Sequence, residues 1–270
     1  MPATDPTPET AAAAETAQRR LIVRLAQDRR DLAAVQRLRY RVFAEEMGAD
    51  IAPPSIGLDI DAFDELCDHL LVIDEDAPAA DAVVGTYRLL RESVARSAGG
   101  FYSEGEFDLA PLAAARSDAT RDMVELGRSC VLSPYRTAPT ISLLWRGIAE
   151  YLTAHRISMM FGCASFPGID PDMFAPALSY LYHHHLLPVE QRPTVLAGKG
   201  VAMERLAPGS YDRRHAMFQL PPLIKGYIRV GAMFGDGAFI DHAFNTVDVC
   251  VVMPVDKITT RYAARFSYAA

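Results

Sequence analysis

Apolar residues recur along the chain in two periods, and the places where one gives way to the other predict its elements. Leu21-Ile22-Val23-Arg24-Leu25 predicts a strand. Beyond Asp28, a helix-capping residue type, Leu32, Val35, Leu38, Val42 and Met47 keep helical spacing as far as Gly48. A loop through Pro53-Pro54 leads to His69-Leu70-Leu71-Val72-Ile73-Asp74. A turn rich in Asp, Ala and Pro then joins that run to Val83-Val84-Gly85-Thr86-Tyr87-Arg88-Leu89-Leu90, which predicts an antiparallel hairpin. After an irregular stretch from Arg91 to Arg121, Met123 to Leu132 reads as a central strand. A helix capped by Thr140 and running to about His155 follows, then a strand from Met159 to Ser165 and a helix from Pro171 to about His183. Gly200 to Leu206 and Val247 to Met253 are two further predicted strands, and a last helix begins near Val255. The order β-α-β-β-β-α-β-α describes an α/β (α+β) chain with one mixed sheet and helices on both faces.

At 270 residues, 50% of them hydrophobic and 23% charged, the chain can bury a full core. Residues 1 to 18 carry Pro2, Pro6, Pro8, four consecutive alanines and no aromatic residue, so they predict a disordered tail ahead of a single domain over 19–270. Its core spans about 19–210, with a C-terminal elaboration over about 211–270. No apolar run reaches the ~18 residues of a membrane span, and the acidic N-terminus lacks the order of a signal peptide. Cys67, Cys130, Cys163 and Cys250 lie far apart with no CxxC spacing, which favours a reducing compartment, the cytoplasm.

A net charge of −7 argues against a nucleic-acid partner, which needs a basic field. The charge is also unevenly spread. Glu45 to Asp81 holds twelve acidic residues and no Lys or Arg, whereas Lys199 to Arg265 holds nine basic residues against six acidic. An acidic pole suits a cationic small substrate, and a basic pole suits an anionic partner.

Four paired motifs carry the chemistry: Arg39-x3-Phe43 late in the first helix, Asp61-x2-Asp64 before the second strand, Arg88 in Gly-Thr-Tyr-Arg-Leu-Leu, and Glu125-x2-Arg128 in Val-Glu-Leu-Gly-Arg. In this order they resemble the acyl-homoserine lactone synthases and their relatives in the Gcn5-related N-acyltransferase superfamily. The resemblance implies a central sheet splayed between its fourth and fifth strands, here Met123 to Leu132 and Met159 to Ser165, which admits the pantetheine arm of an acyl thioester. The lactone synthases share a tryptophan six residues after the motif phenylalanine, where this chain has Ala49. The C-terminal run from Leu220-Pro221-Pro222 through Phe244-Asn245-Thr246-Val247-Asp248 to Asp256-Lys257, together with Glu-Leu-Gly-Arg-Ser-Cys-Val, resembles instead the ornithine N-acyltransferases of bacterial ornithine-lipid synthesis, over roughly residues 20 to 266.

That resemblance implies transfer of a 3-hydroxyacyl group from acyl carrier protein to the α-amine of L-ornithine, giving lyso-ornithine lipid, with no further cofactor and no metal. An autoinducer synthase and an N-acyltransferase for another amino acid stay open as alternatives. The loop Arg136-Thr137-Ala138-Pro139-Thr140 has no glycine to cradle a pyrophosphate, which favours the single phosphate of a carrier protein over coenzyme A. Arg136, Thr140, Arg213, Arg214 and Lys225 are the candidates for that donor. The same basic surface suits peripheral contact with an anionic inner membrane.

Attack on a thioester by a protonated amine needs a base, and Glu125 is the candidate. Strand alternation would set Glu125 and Arg128 on opposite faces, so a bulge close to Gly127 is expected, which would also supply an oxyanion donor. Asp61 and Asp64 are read either as partners of the ornithine δ-ammonium or as members of a network with Arg39 and Arg88, the network slightly ahead. Phe43, Met159, Phe161 and Phe166 are candidates for the acyl tunnel. His183-His184-His185 reads as surface rather than metal ligands, and Cys130 as a buried hydrophobe rather than a nucleophile. Leu223 to Phe234 has the charge pattern of an interfacial helix or of one packed on the sheet.

Overall fold

A computed structural model describes residues 19–51, 56–116 and 118–258. The expected tail and the Pro53-Pro54 loop lie outside them. The strands are β1 Leu21–Leu25, β2 Asp68–Asp74, β3 Val83–Arg91, β4 Phe107–Asp108, β5 Asp122–Val131, β6 Ile157–Pro167, β7 Thr194–Val195, β8 Gly200–Val201, β9 Met233–Asp241 and β10 Thr246–Pro254. They form a mixed sheet in the order β1-β2-β3-β5-β6-β10-β9-β7-β4, with β8 pairing β9 off this path. The expected hairpin is β2–β3, antiparallel. Residues beyond 210 continue the same sheet, because β10 runs antiparallel to β6 over its whole length.

The helices are α1 Arg29–Tyr40, α2 Ala138–Ala154, α3 Ala175–His185, α4 Arg213–Gln219 and α5 Pro222–Val230. Asp28 caps α1 by accepting from the backbone N–H of Arg30 and Asp31 at 2.8 and 2.9 Å. The expected continuation to Gly48 changes form: Arg41–Glu46 is a π-helical turn, closed by Met47 N–H on the Val42 carbonyl at 3.0 Å. The cap position of α2 is Thr137, not Thr140. Pro139 fits the first turn, since its missing N–H would have no partner there, and Thr140 is buried with its hydroxyl 3.1 Å from that of Thr137.

Strand alternation divides the core. Val124, Leu126, Met160, Ala164 and Phe166 pack with Leu144 and Ile148 of α2, Leu178 and Leu181 of α3, and Ile224, Tyr227 and Val230 of α5. Truncating a fully buried leucine or isoleucine such as Leu144 or Ile148 removes about 2–5 kcal/mol. On the opposite face Met123, Met159, Phe161, Cys250 and Val252 pack under Phe101, Phe107 and Leu112, while Leu38 of α1 and Val42 of the π-helical turn cover Cys130. Helices thus lie on both faces.

Three expectations are corrected. The strand over Gly200 to Leu206 stops at Val201, because its pairing with β9 is confined to Gly200 and Val201. The run Leu223 to Phe234 is not one helix: Gly231 takes a left-handed φ of 94° and ends α5, and β9, which hydropathy did not isolate, begins at Met233. Val255–Lys257 is a short 3-10 turn, and the rest of the expected last helix lies outside the described residues.

Parallel pairing of β5 with β6 runs from Asp122↔Ile157 only to Glu125↔Phe161. Beyond it both strands continue, β5 to Val131 against β3 and β6 to Pro167 against β10, with no ladder between them. This is the expected splay.

Candidate active site

Three arginines and three aspartates form the floor of the site on the Glu125 side of the sheet. Arg39, wholly buried on α1, donates from Nε to Asp59 Oδ2 at 2.7 Å and grips Asp64 with both Nη atoms at 2.7 and 3.0 Å. Arg88 donates to Asp61 Oδ2 at 2.6 Å and to Asp64 Oδ1 at 3.3 Å. Arg128 Nη2 reaches the same Asp61 oxygen at 3.0 Å, and its Nε lies 3.4 Å from Asp59 Oδ2. Formal charges balance, and the planar fork of Arg39 matches the Asp64 carboxylate, the condition under which burying ions is tolerable. The Arg39 guanidinium and the hydrogen bond from Gln36 hold Asp64 down at about 2 against the opposing effect of burial. Asp61 and Asp64 therefore sit in the network with Arg39 and Arg88, and their oxygens are engaged by arginines. Asp59 joins them unforeseen; its only signal was its place in the same acidic loop.

Register between β3 and β5 shifts between Thr86↔Cys130 and Arg88↔Gly127, leaving Arg128 and Ser129 opposite Tyr87 alone. The bulge lies next to Gly127, close to where it was expected. Gly127 keeps a negative φ and Arg128 itself takes the left-handed conformation, φ 49°, because its guanidinium is anchored by Asp59, Asp61 and two rings. Those rings, Tyr102 and Phe244, lie 4.7 and 4.3 Å from the guanidinium carbon, and Phe244 meets Phe43 edge-on at 5.5 Å. The bulge brings Arg128 and Glu125 to one side, where both touch Tyr102.

Glu125 is buried, 5% exposed. Its carboxylate accepts from the backbone N–H of Tyr102 and of Ser103, each at 2.8 Å, and from the Ser103 hydroxyl. Burial nevertheless outweighs these bonds and raises its pKa above the ordinary carboxylate value. Three of about four lone-pair positions are used, which leaves one for a proton. Tyr102 is the residue that sequence reasoning missed; its aromatic side chain in the irregular stretch before β5 was the available signal.

Two clefts flank the splay. One, narrow, is lined by Phe63, Arg88, Leu90, Tyr102, Glu125 and Gly127. The other, equally narrow and apolar, is lined by Leu126, Met160, Phe161, Tyr227, Val251 and Met253. Of the four tunnel candidates only Phe161 lines it. Met159 and Phe166 are fully buried core residues, and Phe43 packs beside α1 and Phe244.

Beyond the splay, Cys163 donates its thiol to Glu106 Oε2 at 3.0 Å, and Asp248 stands opposite Ser165. Burial lifts Glu106 to about 8 and Asp248 to about 6. It also raises all four thiols, Cys67 and Cys130 to about 12, which makes them poor nucleophiles at neutral pH.

The donor candidates do not gather at one place. Arg136 donates to the Val131 carbonyl at 3.0 Å and to Glu46 at 2.7 Å. Arg213 and Arg214 open α4 and are exposed, and Lys225 bonds the Phe218 carbonyl at 2.9 Å beside the exposed Met217 and Phe218. His183 bonds Tyr211 and Glu204 rather than its histidine neighbours. Among the described residues no helix is long and apolar enough to cross a membrane, and no group of His, Cys, Asp or Glu could hold a metal ion.

An acetyltransferase (GNAT) domain family model matches residues 38–146. An L-ornithine N(alpha)-acyltransferase of Agrobacterium fabrum is 48% identical over 250 residues, covering 91% of this chain and 85% of that protein. One of Rhizobium meliloti is 46% identical over 258 residues, 92% of this chain and 86% of its own length. Among solved structures, the coenzyme A-dependent acyl-homoserine lactone synthase BjaI superposes with a TM-score of 0.51 at 16% identity, over 93% of this chain and 92% of that one. This last likeness concerns the fold alone.

Proposed function

This chain belongs to the L-ornithine N(alpha)-acyltransferase family, and we propose that it transfers a 3-hydroxyacyl group from acyl carrier protein to the α-amine of L-ornithine, forming lyso-ornithine lipid. The observation that carries the reading is the end of the β5–β6 ladder at Glu125↔Phe161, with an ionisable cleft on one side of the opening and an apolar cleft on the other. The pantetheine arm enters the gap, the acyl chain takes the side of Leu126, Met160 and Tyr227, and the amino acid approaches from the Glu125 side.

The α-ammonium is mostly protonated at neutral pH, so its proton passes to Glu125, directly or through water. The free amine attacks the thioester carbonyl. Negative charge on the carbonyl oxygen is met by a β5 backbone N–H released from pairing near the bulge at Arg128. The carbon–sulfur bond then breaks as the nitrogen gives up its second proton, and the leaving thiolate takes up a proton, so that an amide and a thiol result. High thiol pKa values favour this direct transfer over an acyl-enzyme on Cys130 or Cys163. Arg39, Arg88, Asp59, Asp61 and Asp64 hold the loop and strand in place around this chemistry.

A carrier-protein donor is favoured because α2 opens on Thr137-Ala138-Pro139, with a proline removing one of the N–H groups a pyrophosphate would need. Arg136, Arg213, Arg214 and Lys225 supply positive surface for an acidic carrier or for the anionic face of the inner membrane. The purified chain is offered 3-hydroxyacyl thioesters of acyl carrier protein and of coenzyme A with a panel of amino acids and S-adenosylmethionine, and products are read by mass spectrometry. N-acylornithine formed preferentially from the carrier thioester is expected. An acylated homoserine lactone, or equal use of both donors, contradicts the reading.

A further inference from the structure

Strand pairing gathers a second set of carboxylates just past the splay. On β6, Cys163 and Ser165 follow Phe161 on the face that carries Glu125, and they pair with Cys250 and Asp248 of β10. Asp248 in turn pairs with Phe239 of β9, and Thr246 with Asp241, so Asp241 lies diagonal to Asp248 on the same face. Glu106 closes over them from the loop before β4, held by the Cys163 thiol at 3.0 Å.

These three carboxylates differ from those of the arginine network in one respect. Among the described residues none of them forms an ion pair. Glu106, Asp241 and Asp248 are only 6%, 9% and 5% exposed, and Asp248 Oδ1 has no hydrogen-bond partner. A buried carboxylate without a counter-charge is costly, and an unbonded oxygen adds to that cost, unless a cation arrives. They do not form a metal-ligand set. The nearby surface is apolar, with Cys163, Cys250 and Phe239 in one cluster. Apolar walls ending in carboxylates fit a primary ammonium at the end of a short methylene chain.

We infer that Glu106 and Asp248, with Asp241 at the rim, hold the side-chain ammonium of the amino-acid acceptor and set a preference for cationic side chains. The assignment rests on the reading that an amino acid is acylated at its α-amine beside Glu125. Cys163 lies two residues along β6 from the last paired position, about 7 Å at strand spacing, a distance suited to a three-methylene side chain whose α-amine is at the splay. Asp61 and Asp64 cannot serve equally, because their oxygens are already held by Arg39, Arg88 and Arg128. Burial, with repulsion from the neighbouring acids, raises Glu106 to about 8, so the three carboxylates do not all stand charged at neutral pH.

The test compares the wild-type chain, Asp248→Asn and Glu106→Gln, using one acyl thioester with L-ornithine, L-lysine and L-norleucine, in which a methyl replaces the ornithine ammonium. Calorimetric binding of ornithine and norleucine without donor gives a second readout. The wild type should prefer ornithine to norleucine in kcat/KM and in affinity. Each variant should reduce that preference at least tenfold, chiefly through KM for ornithine. A wild type that uses norleucine as well as ornithine, or variants whose preference is unchanged, would overturn the pocket. If the wild type instead favours lysine and Asp248→Asn abolishes that preference, the pocket stands and the ornithine reading falls. Should one variant fail to fold, the other still decides.

Discussion

The backbone N–H of Tyr102 donates to Glu125 Oε2 at 2.8 Å, so the carboxylate proposed as the base also holds the loop beside it. Ser103 adds a second N–H and its hydroxyl. One side chain thus couples loop order to chemistry: its bonds fix the loop, and burial raises its pKa toward the range useful to a base.

Replacing Glu125 with Gln keeps the size but removes the basic oxygen. Turnover should fall by about 10²- to 10⁴-fold. Because the α-amine deprotonates by itself as pH rises through about 8, the variant should recover part of the loss between about pH 7 and 9. Rates measured across that window check it, and a variant with wild-type activity throughout would make the carboxylate structural only.

Arg128 pays for its position with a left-handed backbone, φ 49°. Arg128→Ala and Arg128→Gly should both lose activity, since both leave Asp59 and Asp61 short of a cation. The glycine variant should be the more stable by about 1 kcal/mol, because glycine adopts this conformation freely. Urea unfolding of the two proteins compares them; an alanine variant as stable as the glycine one would deny the strain.

Asp64 is held at about 2, below its ordinary value, chiefly by Arg39. A depressed carboxylate contributes stability that is fully present above its unfolded pKa near 4 and is lost as pH falls through the folded value. The contribution is roughly 2 kcal/mol. Wild-type unfolding free energy should therefore drop between about pH 4 and pH 2. Asp64→Asn should be destabilised by about 3–5 kcal/mol at neutral pH, since it leaves the buried network of three arginines one negative charge short, and its acid slope should be shallower. Denaturation series at several pH values test both statements.

Gly162 sits on β6 directly after the last residue paired with β5, and an added Cβ would lie 2.2 Å from the Leu126 carbonyl oxygen. Backbone cannot yield cheaply there, so Gly162→Ala should cost about 1–3 kcal/mol. It should also alter the throat of the splay, lowering kcat with the acyl thioester more than the melting temperature alone would suggest. An unperturbed variant would show that the strands open with room to spare.

Reversing Arg213 and Arg214 to Glu should raise KM for the carrier thioester severalfold at low salt, and less at high salt, because exposed charges steer a partner through a screened field. KM for ornithine should hardly move. A salt-independent effect would point to packing of Arg213 on the Tyr180 ring, 5.5 Å away, instead of steering.

Local pattern was enough for the elements whose signal is local. Asp28 as a cap, the β2–β3 hairpin, and the alternation that sends Glu125 and Leu126 to opposite faces follow from neighbours in sequence, and so did the pairing of motifs that resembled the acyltransferases. What depends on contacts between distant segments had no such signal. Asp59 became a ligand of Arg39, and Arg128 rather than Gly127 took the strained conformation, because side chains 20 or more residues apart meet only in the folded sheet. β9 escaped notice because its glycines and acids dilute the strand pattern. Its place beside β10, which sets Asp241 near Asp248, was decided by tertiary structure alone.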